Sequence, residues 1–158
     1  MPHDAALRTQ LVKLLTSGEA HADFESAIAN LPAQLRGCVP DGAEHSAWQL
    51  LEHMRIALWD IYEFSRDESH KSPEWPKEYW PENSAPEHGD EWDKSVTAYR
   101  DLIQRMSELI LDERVDLFAR IPHGNGQTVL REALLVADHN AYHLGQLVMS
   151  RKLLGAWK

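Results

Sequence analysis

The sequence places two histidines where a single helix could present both of them to one metal ion. His139 and His143 are four residues apart, which puts both side chains on the same face of a helix. Leu135 and Leu147 share that face, so the pair is predicted to point into the protein. Two imidazoles in an apolar interior need polar partners, and a metal ion satisfies both when the rings are neutral.

A third histidine, His53, strengthens this interpretation. It lies in the middle of an apolar stripe with Leu50 and Ala57 at helical spacing. Inward positions of different helices come within reach of one another in a bundle, so the three histidines could form a three-nitrogen site with an open position. Such a site is typical of catalytic zinc, although imidazole also suits nickel, iron and copper. The alternative is that all three are hydrogen-bonded core residues.

Ligating histidines usually donate their second nitrogen to a carboxylate, a carbonyl or a similar acceptor. Spacing suggests Asp60 for His53 and suggests Glu132 and Gln146 for the pair on the last helix, although each could equally be a solvated or capping group. The remaining histidines are expected at the surface. Two of them, His45 and His88, are the candidates if the metal needs a fourth protein ligand. The others are His3, His21, His70 and His123.

Helical periodicity dominates the chain, and no segment alternates as a strand would. Ser46 with Gln49 forms a capping-box pattern, and Asp90 and Thr128 are plausible N-caps. The predicted helices run from about Asp4 to Ser17, from about His21 to Asn30, from Ser46 to about Arg66, from about Glu91 to Asp112 and from Thr128 to about Leu154.

The helix after Ser46 has two faces. Its apolar stripe is predicted to face the core, and it contains Leu50, His53, Ala57, Ile61 and Phe64. The opposite face is predicted to be polar or peripheral, and it contains Glu52, Arg55, Trp59, Glu63 and Arg66.

Residues 67–90 contain four prolines, which exclude a continuous helix there, and three aromatic residues, which argue against a disordered linker. This segment could return the chain along the preceding helix, or it could cover a site. With four main helices and one long crossover between the second and the third, the chain is predicted to be an all-α four-helix bundle, a single domain over residues 1–158.

Composition excludes several classes of function. The formal charge of -9 disfavours nucleic acid and anionic membranes as partners. The single cysteine, Cys38, excludes an internal disulfide and is expected to be a small buried hydrophobic residue. No signal peptide and no apolar span is evident, so a cytoplasmic location is the default expectation.

Three segments resemble the DinB-like, or YfiT-like, family of metal-dependent enzymes. They are Trp48-Gln-Leu-Leu-Glu-His53-Met-Arg-Ile, Tyr79-Trp-Pro-Glu-Asn-Ser-Ala-Pro86 and Asp138-His-Asn-Ala-Tyr-His143-Leu-Gly-Gln-Leu147. The resemblance covers nearly the whole chain. It implies a four-helix bundle of up-down-down-up topology, often a homodimer. It also implies that His53, His139 and His143, with water, bind a divalent metal, zinc or nickel first among the candidates.

Characterised branches of that family are thiol-dependent transferases or isomerases, whereas many other members have no assigned reaction. The resemblance therefore implies a small-molecule substrate without identifying it, and a low-molecular-weight thiol is one candidate. An anionic thiol would need a cation near the site, for which Arg55 and Arg131 are candidates. The sequence identifies neither the catalytic residues nor the reaction, and a hydrolase is a further hypothesis.

Two other classes of protein remain as alternatives to the enzyme. One is a metal-binding stress or sensor protein, in which His45, Glu132 or a loop residue blocks the fourth position on the metal. The other is a structural bundle that dimerises through exposed tryptophans, among them Trp48, Trp59 and Trp157.

Overall fold

The computed structural model describes residues 2–157, and this part of the chain is all-helical. Its α-helices are α1 (Pro2–Thr16), α2 (Phe24–Ile28), α3 (Ala47–Arg66), α4 (Glu91–Leu111) and α5 (Val129–Leu153). Short 3-10 turns at Ala33–Leu35 and Lys77–Tyr79 lie in the connections. Within residues 2–157 there is no strand, and one isolated antiparallel bridge joins Arg120 and Thr128. The predicted helices are therefore confirmed, within a few residues at each end.

Two of the three predicted helix caps are formed by side chains. The hydroxyl of Ser46 accepts from the backbone N–H of Gln49, and the Gln49 side chain accepts in return from the backbone of Ser46. At the start of α5 the Thr128 hydroxyl accepts from the backbone N–H of Arg131, without a return bond. Asp90 occupies the predicted N-cap position of α4, but its side chain makes no capping bond: its backbone is not extended (φ -100°, ψ -6°) and its carboxylate pairs with Lys94.

The core lies between α3 and the helices packed on both of its sides, α4 and α5, while α1 packs against α4 and α5. The predicted apolar stripe of α3 faces this core, with Leu50, His53, Ala57 and Ile61 buried and Phe64 half-buried. The stripe of α4 does the same: Val96, Tyr99, Leu102, Met106 and Ile110 are buried.

The buried part of α3 is wider than the sequence indicated. Glu52, which was placed on the opposite face, is buried, and so is Trp48, which the structural-bundle alternative treated as exposed. The Glu52 carboxylate accepts two hydrogen bonds from Arg55, both of 2.8 Å, and a further one from the Ser95 hydroxyl of α4. Since α3 contacts partners on two sides, a single stripe underestimates what it buries.

Cys38 is half-buried rather than buried.

A buried arginine joins α1 to the end of α4. Arg8 donates to the backbone carbonyls of Ile110 (2.6 Å), Asp112 (3.0 Å) and Val115 (2.7 Å). Helix ends leave carbonyls without partners, and a cation at a carboxyl-terminal end is also favoured by the helix dipole. Arg8 therefore fixes the start of the chain against the end of α4.

A second buried arginine, Arg151, does the same for α2. Its guanidinium donates to the carbonyls of Ser26 (3.1 Å), Ala27 (2.6 Å) and Ala29 (2.8 Å) at the end of α2. It also donates twice to the carbonyl of Ala156, just beyond α5. One side chain of α5 thus satisfies four carbonyls that have few other partners within reach.

None of the helices that the structure describes has both the length and the apolar character needed to cross a membrane.

Candidate metal centre

The three histidines singled out from the sequence lie together. His53 projects from α3, and His139 and His143 project from α5, with one ring nitrogen of each within 4.8 Å of the others. The Nε2 atoms of His53 and His139 are 3.0 Å apart. His53 and His143 are buried and His139 is half-buried. The packing of α5 on α3 brings the i, i+4 pair against the apolar stripe that carries His53.

The second nitrogen of His53 is held by the backbone of the 67–90 connection. Its Nδ1–H donates to the carbonyl of Tyr79 over 2.9 Å, at a site buried from solvent. A ring that donates from Nδ1 in its neutral form keeps a lone pair on Nε2. The Tyr79 carbonyl therefore fixes the His53 tautomer so that Nε2 can bind a metal.

Gln146 does the same for His143, as the spacing of three residues suggested. The His143 Nδ1–H donates to the Gln146 side-chain oxygen over 2.7 Å. Nε2 of His143 is then the nitrogen with the free lone pair. Two of the three rings thus have their tautomers set by a second hydrogen bond, as is usual for metal ligands.

Asp60 does not contact any of the three histidines. Its carboxylate accepts from the Tyr79 hydroxyl (2.6 Å) and from Nε2 of His70 (2.8 Å). Asp60 therefore affects His53 only indirectly. It holds Tyr79, and the backbone carbonyl of Tyr79 holds the His53 ring. His70, which was expected at the surface, is half-buried because of this contact.

Glu132 does not belong to the cluster of potential ligand atoms formed by the three histidines. It is buried, and its carboxylate accepts from Nη1 of Arg131 at 2.9 Å and 3.1 Å. Burial raises the pKa of Glu132 above its ordinary value, and the Arg131 guanidinium opposes this only in part. No hydrogen bond joins Glu132 to His139 in the described residues, so its predicted contact with this ring is not formed.

Aromatic rings cover one face of His53. The Trp80 indole stacks on it with ring centroids 3.8 Å apart and planes at 4°. His45 stacks on Trp80 in turn, at 3.9 Å and 21°, and must lie on the opposite face of the indole since both rings are in contact with it. The 67–90 connection thus contacts the site through both Tyr79 and Trp80.

All three imidazoles are neutral at physiological pH. Desolvation is the main reason why the pKa values of His53 and His139 are lowered to about 4 each, and the nearby His143 ring contributes to both shifts. Desolvation also lowers the pKa of His143, although the bond to Gln146 opposes the shift. Neutral imidazoles have the lone pairs that a metal needs.

We expect the metal-free protein to lose stability as the pH falls from about 6.5 towards 4. The pKa of His53 is about 4 in the folded state and near 6.5 when unfolded, so the unfolded chain binds more protons in this window. Between pH 7 and pH 5 this group alone should remove about 2 kcal/mol from the free energy of unfolding.

The measurement is urea unfolding in EDTA at both pH values, for the parent and for His53→Leu. The leucine variant should lose less stability than the parent over the same step. An equal loss in both proteins would contradict a depressed pKa at His53.

The donor set fits a divalent metal ion. Two nitrogens bound to one zinc at about 2.0–2.1 Å lie about 3.3 Å apart in tetrahedral geometry. The His53 and His139 Nε2 atoms, at 3.0 Å, are already near this separation. A ring nitrogen of His143 lies within 4.8 Å of the other two, so this group could hold a metal.

The chain was compared with known proteins. A sequence profile described as the DinB superfamily matches residues 18–147, which include all three histidines and most of the chain. No curated protein and no solved structure matches the chain. A profile match over this much of the chain shows the family. The chain belongs to the DinB superfamily.

Proposed function

We propose that this protein is a metal-dependent enzyme in which His53, His139 and His143 hold one divalent ion, zinc or nickel, with a further position open to a small-molecule substrate. The observation that carries the proposal is the convergence of three neutral imidazole nitrogens, two of them with fixed tautomers. Three histidines with an exchangeable fourth position are typical of catalytic rather than structural zinc.

The reaction class that suits such a site is a hydrolysis or a thiol-dependent transfer. When bound, the ion would supply a Lewis acid that makes a water or a thiol acidic enough to attack an electrophile near neutral pH. The protein's own contribution is to orient the ligands. Tyr79 and Gln146 hold two rings by hydrogen bonds, and Trp80 keeps solvent from one face of His53.

The positions of two other residues favour the enzyme over a metal sensor. A sensor is expected to block the fourth position with His45, Glu132 or a loop residue, and the first two can be located. His45 stacks on the far face of Trp80, and Glu132 pairs with Arg131. Neither residue joins the cluster of potential ligand atoms found among the described residues.

We infer further that α1, α3, α4 and α5 form a four-helix bundle with up-down-down-up topology. Helices α3 and α4 pack against each other and are joined by the long segment 67–90, which supports a crossover that returns the chain before α4 begins. In a bundle of this kind, metal ligands on facing helices project into the interior.

We expect Gln146→Leu to weaken zinc binding by about 10-fold, because His143 Nδ1–H loses its acceptor and the ring is no longer held in one orientation. Gln146→Glu keeps an acceptor at the same place and should bind zinc at least as tightly as the parent. The measurement is zinc titration of metal-free protein against a competing chelator. Equal affinities in all three proteins would show that Gln146 does not orient His143.

The proposal is tested by metal content and by metal-dependent turnover. Plasma mass spectrometry of protein purified without a histidine tag should give about one equivalent of a divalent metal. Hydrolysis of uncharged aryl esters, or thiol transfer to an uncharged electrophile, should disappear with EDTA and return with zinc or nickel. Bound metal without turnover in either screen would contradict the enzyme, and no metal after reconstitution would contradict both the enzyme and the sensor.

A further inference from the structure

A cavity of about 510 Å³ lies beside His143, between α5 and the segment 42–45. We call it the α5 pocket. Its volume is in the range of small-molecule sites, about 300–1,000 Å³. The α5 residues that line it run from Tyr142 to Leu153, which is about 16 Å along the helix axis. The pocket is therefore an elongated groove that begins beside one of the three site histidines and leads away from it.

The end of the α5 pocket near the histidines carries polar groups. Trp80 lines it there and stacks on His53, while His45, also in the wall, stacks on the other face of the Trp80 indole. Gln146 lines the pocket as well and bonds to His143. A polar head group would therefore find its surroundings at this end.

The side chains that α5 contributes to the far end are apolar. Met149 and Leu153 line the pocket there and are 56% and 57% exposed. Ser150 lies between them in the sequence, but its hydroxyl oxygen is buried and so adds no polar contact to the wall. An apolar group that covers the exposed side chains removes their surface from water, which is favourable. The far end therefore suits an alkyl chain or an aromatic ring.

The pocket wall itself supplies little charge. Glu44 is exposed to solvent, and no lysine or arginine lines the pocket among the described residues. The positive charge that attracts a head group must then come from the ion that the proposed function assigns to His53, His139 and His143. A head group is expected to bind beside the histidines for this reason, with the rest of the molecule along α5.

We infer that the α5 pocket receives the apolar body of an amphiphilic substrate whose polar head group lies at the three histidines. The inference rests on the proposed function and deepens it by naming the substrate class, a small molecule with one metal-binding group at the end of an alkyl or arylalkyl body. A strongly polar body, such as a sugar or a peptide, would gain nothing from Met149 and Leu153.

The test compares octanohydroxamate with acetohydroxamate, which have the same metal-binding head and differ in the length of the alkyl chain. Both are titrated into cobalt-substituted protein, in which the visible spectrum reports coordination of the head. We expect octanohydroxamate to bind at least about 10-fold more tightly, because six further methylene groups are partly removed from water. Its binding to metal-free protein, measured by NMR, should be at least about 10-fold weaker, because only the chain is then held.

Two matched variants place the chain on the far wall. Met149→Gln keeps most of the side-chain size but makes the wall polar, so it should weaken octanohydroxamate binding about 3-fold and leave acetohydroxamate binding unchanged. Leu134→Gln alters an exposed apolar residue of α5 that does not line the pocket. It should change neither dissociation constant.

Three outcomes would overturn the inference without affecting the metal site. They are equal affinities of the two hydroxamates, equal binding of octanohydroxamate to cobalt-loaded and metal-free protein, and no effect of Met149→Gln. A dimer, measured by light scattering, that Met149→Gln converts to a monomer would also overturn it, because a second copy of the chain would then cover the far wall. Failure to take up cobalt or zinc would instead contradict the proposed function, and this inference with it.

Discussion

Replacing any one of His53, His139 and His143 by alanine is expected to weaken zinc binding by more than about 100-fold. Loss of a residue that only orients a ligand already weakens metal binding by about 10- to 100-fold, so loss of a ligand should have a larger effect. The three nitrogens lie within 4.8 Å of one another, and no other histidine or carboxylate in the described residues joins them to replace a missing ligand. The measurement is zinc titration of metal-free protein in competition with a chromophoric chelator.

The matched control is His21→Ala, which removes an exposed histidine whose ring contacts only the neighbouring backbone carbonyl. Its zinc affinity should equal that of the parent. If one of the three site variants kept parental affinity, that residue would not be a ligand. If His21→Ala were as weak as the site variants, the zinc would be bound by surface histidines in general.

Replacing Arg151 by methionine should lower the free energy of unfolding by about 3 kcal/mol. The substitution keeps much of the side-chain volume but leaves four backbone carbonyls, three of them at the end of α2, without the donor that the structure gives them. Leaving one buried polar group without a hydrogen-bond partner costs about 1–3 kcal/mol of stability. Water that reaches the half-buried carbonyls should offset part of this loss. Chemical denaturation of metal-free protein measures the change.

Lys152→Met is the control for this substitution, because it removes a cation from the next position of the same helix, where the side chain is exposed. We expect it to change stability by less than about 1 kcal/mol. A loss of similar size in both variants would assign the effect to the charge near the end of α5. The carbonyl contacts of Arg151 would then contribute little.

The helices and the His139–His143 pair could be predicted because both are local patterns, whereas the approach of His53 to the pair follows from the packing of α3 on α5. Apolar spacing, Ser46 with Gln49, and the i, i+4 pair on α5 can each be recognised within one or two turns. The burial of Glu52 could not be predicted in this way. It depends on Ser95, a residue on another helix, and on the approach of two helices to α3.

The hydrogen-bond partners of the histidines show where spacing alone is informative. Gln146 is three residues from His143, within one turn, and the contact is formed. Asp60 is seven residues from His53, a rise of about 10.5 Å along the helix, which is too far for a direct bond. Tyr79 bridges that distance through its hydroxyl and its carbonyl. A backbone carbonyl has no side-chain signature, so the sequence could not indicate this acceptor. The homodimer, the substrate and the cellular location stay predictions.

The two buried arginines also bear on the order in which the chain can fold as it is synthesised. The carbonyls that Arg8 binds lie more than 100 residues later in the chain. The carbonyls at the end of α2 precede their donor, Arg151, by 122 to 125 residues. Because a ribosome delivers the amino-terminal end first, α1 and α2 emerge long before their partners exist. The packing of α1 is therefore completed only after α4 and α5 have emerged, and that of α2 only after Arg151 of α5 has emerged.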